Sequence, residues 1–186
     1  IKTTPTRVLK DIPGLKNYRL SDKNTFELSI GNRVLSDEVV ENGSIPIYSA
    51  NVFEEFGRID KQNITDFSVP SILWGIDGDW MVNIIPANKP FYPTDHCGVL
   101  RIKTDDIIPK YMALALQVEG EFERFSRSNR ASTQRISNLV IQIPSVIEQQ
   151  KVIDEIEAID KKISDEQAII SEQSEKVKSK FAEMFG

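Results

Sequence analysis

The chain is poor in the residues that disulfides, metal clusters and membrane spans require. It has one cysteine, Cys97, and one histidine, His96, among 186 residues. A single cysteine can form neither an intrachain disulfide nor a thiolate cluster, which fits a reducing cytoplasm. No run reaches the ~18 apolar residues of a transmembrane helix, and no signal peptide opens the chain. We therefore expect a cytoplasmic protein without a membrane partner or a metal site.

The phosphate- and dinucleotide-binding motifs of common enzymes are also missing. There is no GxxxxGK[ST] loop, and no GxGxxG follows a strand-like run. His96 and Cys97 are adjacent, so on an extended chain they point to opposite faces and make a poor nucleophilic pair. Asp77-Gly78-Asp79 is typical of a turn, and no Asn/Asp-Pro-Pro-Tyr-like stretch of a base amino-methyltransferase occurs. The sequence therefore predicts no catalytic residue in this chain.

Proline and glycine are absent from about Val146 to Phe185, and this stretch has a heptad pattern. Its apolar residues are spaced by 4, 3, 4, 7 and 7 positions, with Glu166 and Gln173 in the two intervening core slots. A helix of about 40 residues is roughly 60 Å long, so we expect one stripe to need a partner helix. A surface helix packed on its own domain is the alternative. The predicted dimerisation seam is Val152, Ile156, Ile159, Ile163, Ile170 and Val177.

Before Pro144, short β-prone runs alternate with turn residues. One helix is expected to begin at Pro109 and to continue until Gly120. The predicted fold class is therefore α+β, a β-rich domain at residues 24–144 followed by one long C-terminal coiled-coil helix at 145–186. We interpret residues 1–23 as an N-terminal extension or linker. The predicted strands are Phe26–Ile30, Ile45–Ser49, Val69–Trp74, Trp80–Ile85 and Gly98–Ile102.

The segment from Arg124 to Arg135 concentrates cations in a chain whose net charge is −5, because it holds four arginines and no acidic residue. Arginine binds phosphate and guanine, Asn and Gln pair with adenine, and Ser and Thr bind phosphate oxygens. A second candidate surface is the hairpin-like stretch from Phe56 to Asn63. The predicted DNA-binding residues are Arg58, Lys61, Gln62, Asn63, Trp80, Arg124, Arg127, Ser128, Asn129, Arg130, Ser132, Gln134 and Arg135.

Each of these features also has a purely structural interpretation. The segment from Arg124 to Arg135 has the composition of a solvated polar loop. Trp74 and Trp80 flank the Asp77 turn, and they are either core aromatics or rim residues of a nucleic-acid surface. His96 is expected mainly to serve as a structural or hydrogen-bonding residue.

The run Arg135–Pro144, followed by Glu148-Gln149-Gln150 and a long helix, resembles a junction in type I restriction-modification specificity (S) subunits. In that family a target recognition domain ends in an IP…EQ segment that leads into a conserved helix. The resemblance covers roughly residues 24–184. Further segments similar to recurring parts of such domains are residues 31–35, 43–51 and 94–102.

The resemblance implies a non-catalytic, sequence-specific reader of double-stranded DNA whose helix acts as a spacer. It also implies partner modification (methyltransferase) subunits and restriction subunits. We expect no cofactor in this chain, because S-adenosylmethionine, ATP and Mg²⁺ would be bound by those partners.

A typical S subunit has two recognition domains and two helices that pair antiparallel, whereas this chain has one of each. Because the chain begins with Ile1 rather than Met, residues are also expected upstream. It is therefore expected to be half of a longer subunit, a half-subunit forming an antiparallel homodimer, or the specificity part of a fused restriction-modification protein.

Two other function classes remain open at the level of the sequence. A protein-interaction adaptor would use the coiled coil for oligomerisation and the β domain to bind a peptide. A stand-alone nuclease or hydrolase would need a metal-binding carboxylate cluster assembled across the fold, with Asp77 or Asp79 as members.

Overall fold

The computed structural model describes Ile12 and residues 14–185. The chain divides into two compact units with a boundary between Gln149 and Gln150. The described strands are β1 Lys16–Arg19, β2 Phe26–Ile30, β3 Ile45–Tyr48, β4 Gly57–Ile59, β5 Ser71–Gly75, β6 Val82–Ile85, β7 Tyr92–Pro93, β8 Cys97–Ile102 and β9 Val140–Ile143. The described helices are α1 Pro109–Phe122, α2 Thr133–Ser137 and α3 Val146–Phe185, with a short 3₁₀ turn at Ser36–Glu38.

This element order confirms the predicted fold class, a sheet-rich region followed by one long C-terminal helix. Each of the five predicted strands coincides with an observed strand to within two residues at either end. The helix expected to end at Gly120 continues to Phe122. Gly120 is a packing requirement rather than a stop signal, since a Cβ there would lie 2.0 Å from the Trp80 ring.

The centre of the first unit is an antiparallel sheet in the order β2-β8-β5-β6. Every residue of β5 is buried, so this strand is covered on both faces. Leu73 packs in one apolar cluster with Val99, Val52 and Phe91. Successive side chains alternate between faces, so Trp74 lies on the opposite face, where it is fully buried.

A second sheet has the order β4-β3-β7, in which β3 and β7 run parallel. Ile45 and Ile47 of β3 are buried, whereas the alternate residues of that strand are partly exposed. They form an apolar cluster with Ile59 and Tyr92. The sheet therefore includes residues 57–59 of the 56–63 stretch, which pair with β3 as strand β4.

Strand β1 differs from the interpretation of residues 1–23 as an extension or linker. Lys16–Arg19 pairs antiparallel with β9, from Lys16↔Ile143 to Arg19↔Val140. The part of the range that the structure describes thus contributes a strand to the first unit. Residues 1–11 and 13 lie outside the described residues.

The junction motif Glu148-Gln149-Gln150 has a structural explanation in the first turn of α3. Gln149 is fully buried, and its Nε2 donates to the carbonyl oxygens of Asp106 (2.8 Å) and Pro144 (2.9 Å). Its Oε1 accepts from the backbone N–H of Ile108 at 2.8 Å. Because Ile108 directly precedes α1, this one amide joins the start of α1 to the start of α3.

The described helices include none that is long and apolar enough to cross a membrane. In α3, every residue from Glu157 to Phe185 is exposed. Four of the six predicted seam residues are among them, Ile159 (54% exposed), Ile163 (48%), Ile170 and Val177, whereas Ile156 is partly buried. An apolar stripe of this kind is what a helix that pairs with another helix presents in isolation.

Candidate nucleic-acid interface

The segment from Glu123 to Ser132 forms a loop with its own internal hydrogen bonds, which we call the arginine loop. The backbones of Ser126 and Asn129 exchange two hydrogen bonds of 3.1 Å. The Asn129 side chain donates to the carbonyl oxygens of Glu123 (2.8 Å) and Arg124 (3.1 Å). Arg124 has a φ of 56°, a conformation uncommon for a residue with a Cβ. The loop therefore has a defined shape, and Asn129 maintains it rather than facing a ligand.

The end of the arginine loop is attached to the central sheet. The backbone N–H of Ala131 donates to the carbonyl oxygen of Ile76 at 3.0 Å. The buried indole N–H of Trp74 donates to the Ala131 carbonyl at 2.9 Å. Since Trp74 belongs to β5 and Ile76 follows it, the loop is held at the carboxyl end of that strand.

Trp80 belongs to the support of this loop. Its indole N–H donates to the Gln117 carbonyl of α1 at 2.7 Å, and its ring centroid lies 5.1 Å from that of Phe125. Phe125 is buried, so its contact with the Trp80 ring anchors the arginine loop. Because the indole N–H is already used, the geometry favours the structural interpretation of Trp80 over base contact.

Arg130 and His96 share one carboxylate. The Nε of Arg130 donates to Asp77 Oδ1 at 2.6 Å, and His96 Nδ1 is hydrogen-bonded to Asp77 Oδ2. Asp77-Gly78-Asp79 forms the expected turn, with Gly78 at φ 91°. Sequence reasoning treated Asp77 and His96 separately from the arginine segment, because no local pattern links residues 53 and 34 positions away from Arg130.

The other arginines of the segment differ in their surroundings. Arg124 and Arg127 are exposed, and among the described residues their side chains have no ion pair or hydrogen bond. Arg135 is hydrogen-bonded to Asn129 Oδ1 and to the Arg130 carbonyl (3.3 Å), so it reinforces the loop. Two exposed cations thus belong to the same loop as Arg130 and have no internal counterion in the described chain.

The remaining predicted residues of this segment lie around α2. Ser132 caps the helix by accepting from the backbone N–H of Arg135. Ser128 is exposed and its hydroxyl lies 3.2 Å from that of Ser126. Gln134 is exposed at the rim of a cavity of about 530 Å³, whose lining includes Phe26, Lys103 and Ser137.

The second predicted surface is largely occupied by internal contacts. Arg58 donates to the Gly43 carbonyl at 2.6 Å and forms an ion pair with Glu55 at 2.8 Å. Lys61 is paired with Glu38 and lies 5.8 Å from the centre of the Tyr92 ring. The hydrogen bond to Glu38 raises the pKa of Lys61. The pKa of Glu38 is lowered first by the Leu35 N–H and then by Lys61. These two cations are neutralised locally, unlike Arg124 and Arg127.

The amides of this second surface have different environments. Gln62 is exposed. Asn63 donates to the Pro93 carbonyl at 2.8 Å, while its Oδ1 is buried and has no partner among the described groups. Asn63 therefore fixes the segment that precedes His96 in the chain. Residues 92–97 thus contact both predicted surfaces. Pro93 accepts a hydrogen bond from Asn63 of the second surface, and His96 is hydrogen-bonded to Asp77, the partner of Arg130.

The described residues offer little for metal or thiol chemistry. They contain no group of three or more His, Cys, Asp or Glu side chains that could hold a metal ion. Asp77, which a nuclease mechanism would have required, is occupied by Arg130 and His96. Cys97 is fully buried, and burial raises the pKa of its thiol to about 12.

Comparison with known proteins gives a consistent family. The chain is 29% identical over 108 residues to a Mycoplasma pneumoniae protein named as a type I specificity subunit N-terminus, a match that covers 57% of this chain and 56% of the relative. A Mycoplasma pneumoniae type I restriction enzyme MpnII specificity subunit is 25% identical over 146 residues, which are 77% of this chain and 44% of that protein. The chain thus spans about half the length of the curated relatives it matches.

Solved structures support the fold. The S subunit of a type I restriction-modification system from M. genitalium superposes with a TM-score of 0.60 at 19% identity, covering 88% of this chain and 43% of that one. The HsdS subunit from Thermoanaerobacter tengcongensis gives a TM-score of 0.63 at 15% identity, covering 87% and 41%. A family model described as the type I restriction modification DNA specificity domain matches residues 15–173. The chain therefore belongs to the type I restriction modification DNA specificity domain family, as its junction motif and heptad helix indicated.

Proposed function

We propose that the chain reads a specific sequence in double-stranded DNA and directs partner modification and restriction subunits to that site. The observation that carries this proposal is the arginine loop. It presents Arg124 and Arg127 to solvent without internal counterions in the described chain, in the same loop as Arg130, and the loop is attached to β5. The family supports DNA sequence recognition, and the partner subunits are proposed from it.

The physical basis is counterion release. Each arginine that neutralises a DNA phosphate displaces a condensed cation, so the affinity falls as the salt concentration rises. A chain with a net charge of −5 has no general attraction to DNA, so binding has to come from a local cationic surface. The loop is the cationic segment in which two arginines are exposed and unpaired within the described residues.

The salt dependence of binding tests the loop directly. We expect Arg124→Ala and Arg127→Ala each to reduce the slope of log K against log salt concentration by about 1, if each side chain binds one phosphate. Lys162→Ala is the matched control, because it removes the same charge from an exposed position of α3. Fluorescence anisotropy with a labelled duplex measures the slope. Equal slopes for all four proteins would exclude the loop as the phosphate-binding surface.

We also propose that α3 pairs with a second helix. From Ile159 to Val177 its seam is exposed, with Glu166 and Gln173 between the apolar residues. The partner is either α3 of a second copy, running antiparallel, or a second such helix in a longer subunit. An antiparallel homodimer is two-fold symmetric and would read an interrupted palindrome.

The chain is proposed to bind no S-adenosylmethionine, ATP or Mg²⁺ itself, these being the cofactors of partner subunits. Isothermal titration of the purified chain with each of them should give no binding heat, and saturable heat would contradict the assignment.

A protein-interaction adaptor would use the same α3 stripe, so the helix does not distinguish an adaptor from a DNA reader. The arginine loop favours DNA, and an unchanged duplex mobility in a low-salt gel shift would favour the adaptor.

A further inference from the structure

Asp77 connects three segments that are distant in sequence. Its Oδ1 accepts from Arg130, with Nε and Nη2 both at 2.6 Å. Its Oδ2 accepts from His96 Nδ1. The backbone around it is fixed as well, because the N–H of Ile76 donates to the His96 carbonyl at 3.0 Å and the Ile76 carbonyl accepts from Ala131 at 3.0 Å. The carboxylate thus lies where the β5 turn, the residue before β8 and the arginine loop meet.

Asp77 contacts one edge of the Arg130 guanidinium and one ring nitrogen of His96. The Nε–Nη2 edge of Arg130 is bound to Asp77, and Nη1 makes no hydrogen bond within the described chain. The end edge of the guanidinium, formed by Nη1 and the second hydrogen of Nη2, therefore keeps its donors. An ionised carboxylate only accepts hydrogen bonds, so His96 donates to Asp77 through Nδ1. The other ring nitrogen of His96, Nε2, lies 3.9 Å from Asp95 Oδ1.

An acidic residue is otherwise unfavourable on a surface that meets phosphates. Asp77 has a side-chain exposure of 24% and is half-buried, whereas Asp79, two residues later in the same turn, is exposed. A flexible arginine loses conformational freedom when it binds a base, and a carboxylate that already fixes its orientation lowers that loss. The end edge of the guanidinium, which Asp77 does not contact, has two donors that match the O6 and N7 acceptors of guanine in the major groove.

We propose that Asp77 is a positioning residue for sequence recognition, holding the end edge of the Arg130 guanidinium in place so that Arg130 reads a guanine. This inference rests on the proposed DNA-reading function. Asp77 itself contacts no base: it acts through Arg130, and its hydrogen bond with His96 helps to fix the carboxylate. The alternative role for Arg130, a phosphate contact without base preference, makes different predictions.

The test compares the 186-residue chain with its variants on two labelled duplexes. The first duplex is one that the wild-type chain enriches from a random-core pool. The second has the enriched positions scrambled. We expect Asp77→Asn to weaken binding to the enriched duplex about tenfold and to leave the scrambled duplex unchanged or bound more tightly. Asp79→Asn is the control, since it removes the same charge from the same turn and should not reduce the preference. Arg130→Lys keeps the charge but loses the planar edge, and it should lose the preference to the same extent as Asp77→Asn.

A double-mutant cycle shows whether Asp77 acts through Arg130. In an Arg130→Lys background, Asp77→Asn should cause no further loss for the enriched duplex. Repeating the pool selection with Asp77→Asn should abolish a guanine preference at one position while other positions keep theirs. Circular dichroism melting of each variant verifies that the fold is retained.

The outcomes separate this inference from the proposed function. If the wild-type chain enriches no duplex, the DNA-reading function itself fails. If it enriches a duplex and Asp77→Asn weakens both probes equally, or weakens them no more than Asp79→Asn does, the positioning role is overturned. A loss of preference with Asp77→Asn that persists unchanged in the Arg130→Lys background would also overturn it.

Discussion

At the scale of single residues, two glycines leave the space that the tryptophan rings of the first unit occupy. A Cβ at Gly98 would lie 2.1 Å from the Trp74 ring, and one at Gly120 would lie 2.0 Å from Trp80. Both tryptophans support the arginine loop, Trp74 through Ala131 and Trp80 through Phe125. The position of the loop thus depends on two glycines that do not belong to it.

Gly120→Ala tests this dependence. In an exposed helix interior the change would stabilise the protein by up to about 1 kcal/mol. Here the added methyl meets the Trp80 ring, so we expect destabilisation of about 1–3 kcal/mol from overpacking, measured by urea unfolding. Combining it with Trp80→Phe should remove most of that loss, because the smaller ring vacates the contact. A stabilised Gly120→Ala protein would show that the tryptophan is not held against the helix.

Residue types in the arginine segment indicated their chemistry, but their partners could not be read from the sequence. Four arginines without an acid between them predict a cationic surface, and the structure exposes all four. Arg130 is paired with Asp77, 53 positions away, and Arg58 with a backbone carbonyl of Gly43. Whether a charged side chain is available depends on such long-range contacts, which local composition does not contain.

At the scale of elements, long or strongly patterned segments were predictable, whereas short segments without an apolar pattern were not. The heptad spacing predicts α3, and β-prone runs between turn residues predict β2 and β8. Strand β1 is four residues long and mostly polar, so nothing in its sequence distinguishes it from a linker. Its pairing with β9, more than 120 residues later, is a property of the fold.

Gln149 is the element-scale test. Gln149→Leu removes the side-chain partner of three backbone groups, a buried carbonyl of Pro144 and the part-buried groups of Asp106 and Ile108. We expect a loss of about 2–4 kcal/mol in the free energy of unfolding. Gln150→Leu is the matched control, because its exposed amide bonds only to Asp154 (2.7 Å), and its effect should stay within about 0.5 kcal/mol. Similar chemical denaturation midpoints for both variants would refute the role of Gln149.

The α3 stripe is tested by charge placed on and off the seam. We expect Ile159→Asp with Ile163→Asp to dissociate an oligomer while the sheet-rich unit stays folded, because both side chains occupy core heptad positions. Ala158→Asp with Ala168→Asp adds the same charge outside the seam and should leave the mass unchanged. Sedimentation velocity measures both, and an unchanged mass for the isoleucine pair would refute the seam.

At the scale of the whole molecule, the proposed functions of DNA recognition and helix pairing fall in different units of the chain. The first unit supplies a cationic loop on a sheet whose central strand is buried throughout, and the second unit supplies a helix whose seam is exposed from Ile159 to Val177. The chain spans about half the length of its curated relatives, and its described residues hold one such pair of parts. Two recognition units joined through their helices would bind more tightly than one, through effective concentration alone.

Selection of duplexes from a random pool by the 186-residue chain tests whether the first unit reads a DNA sequence. We expect enrichment of a defined motif, and two identical half-sites related by two-fold symmetry if α3 forms an antiparallel homodimer. Binding to the enriched duplex should also weaken as the salt concentration rises. A pool that stays random after repeated rounds, while the chain remains folded, would contradict the assignment of the first unit as a reader of DNA sequence.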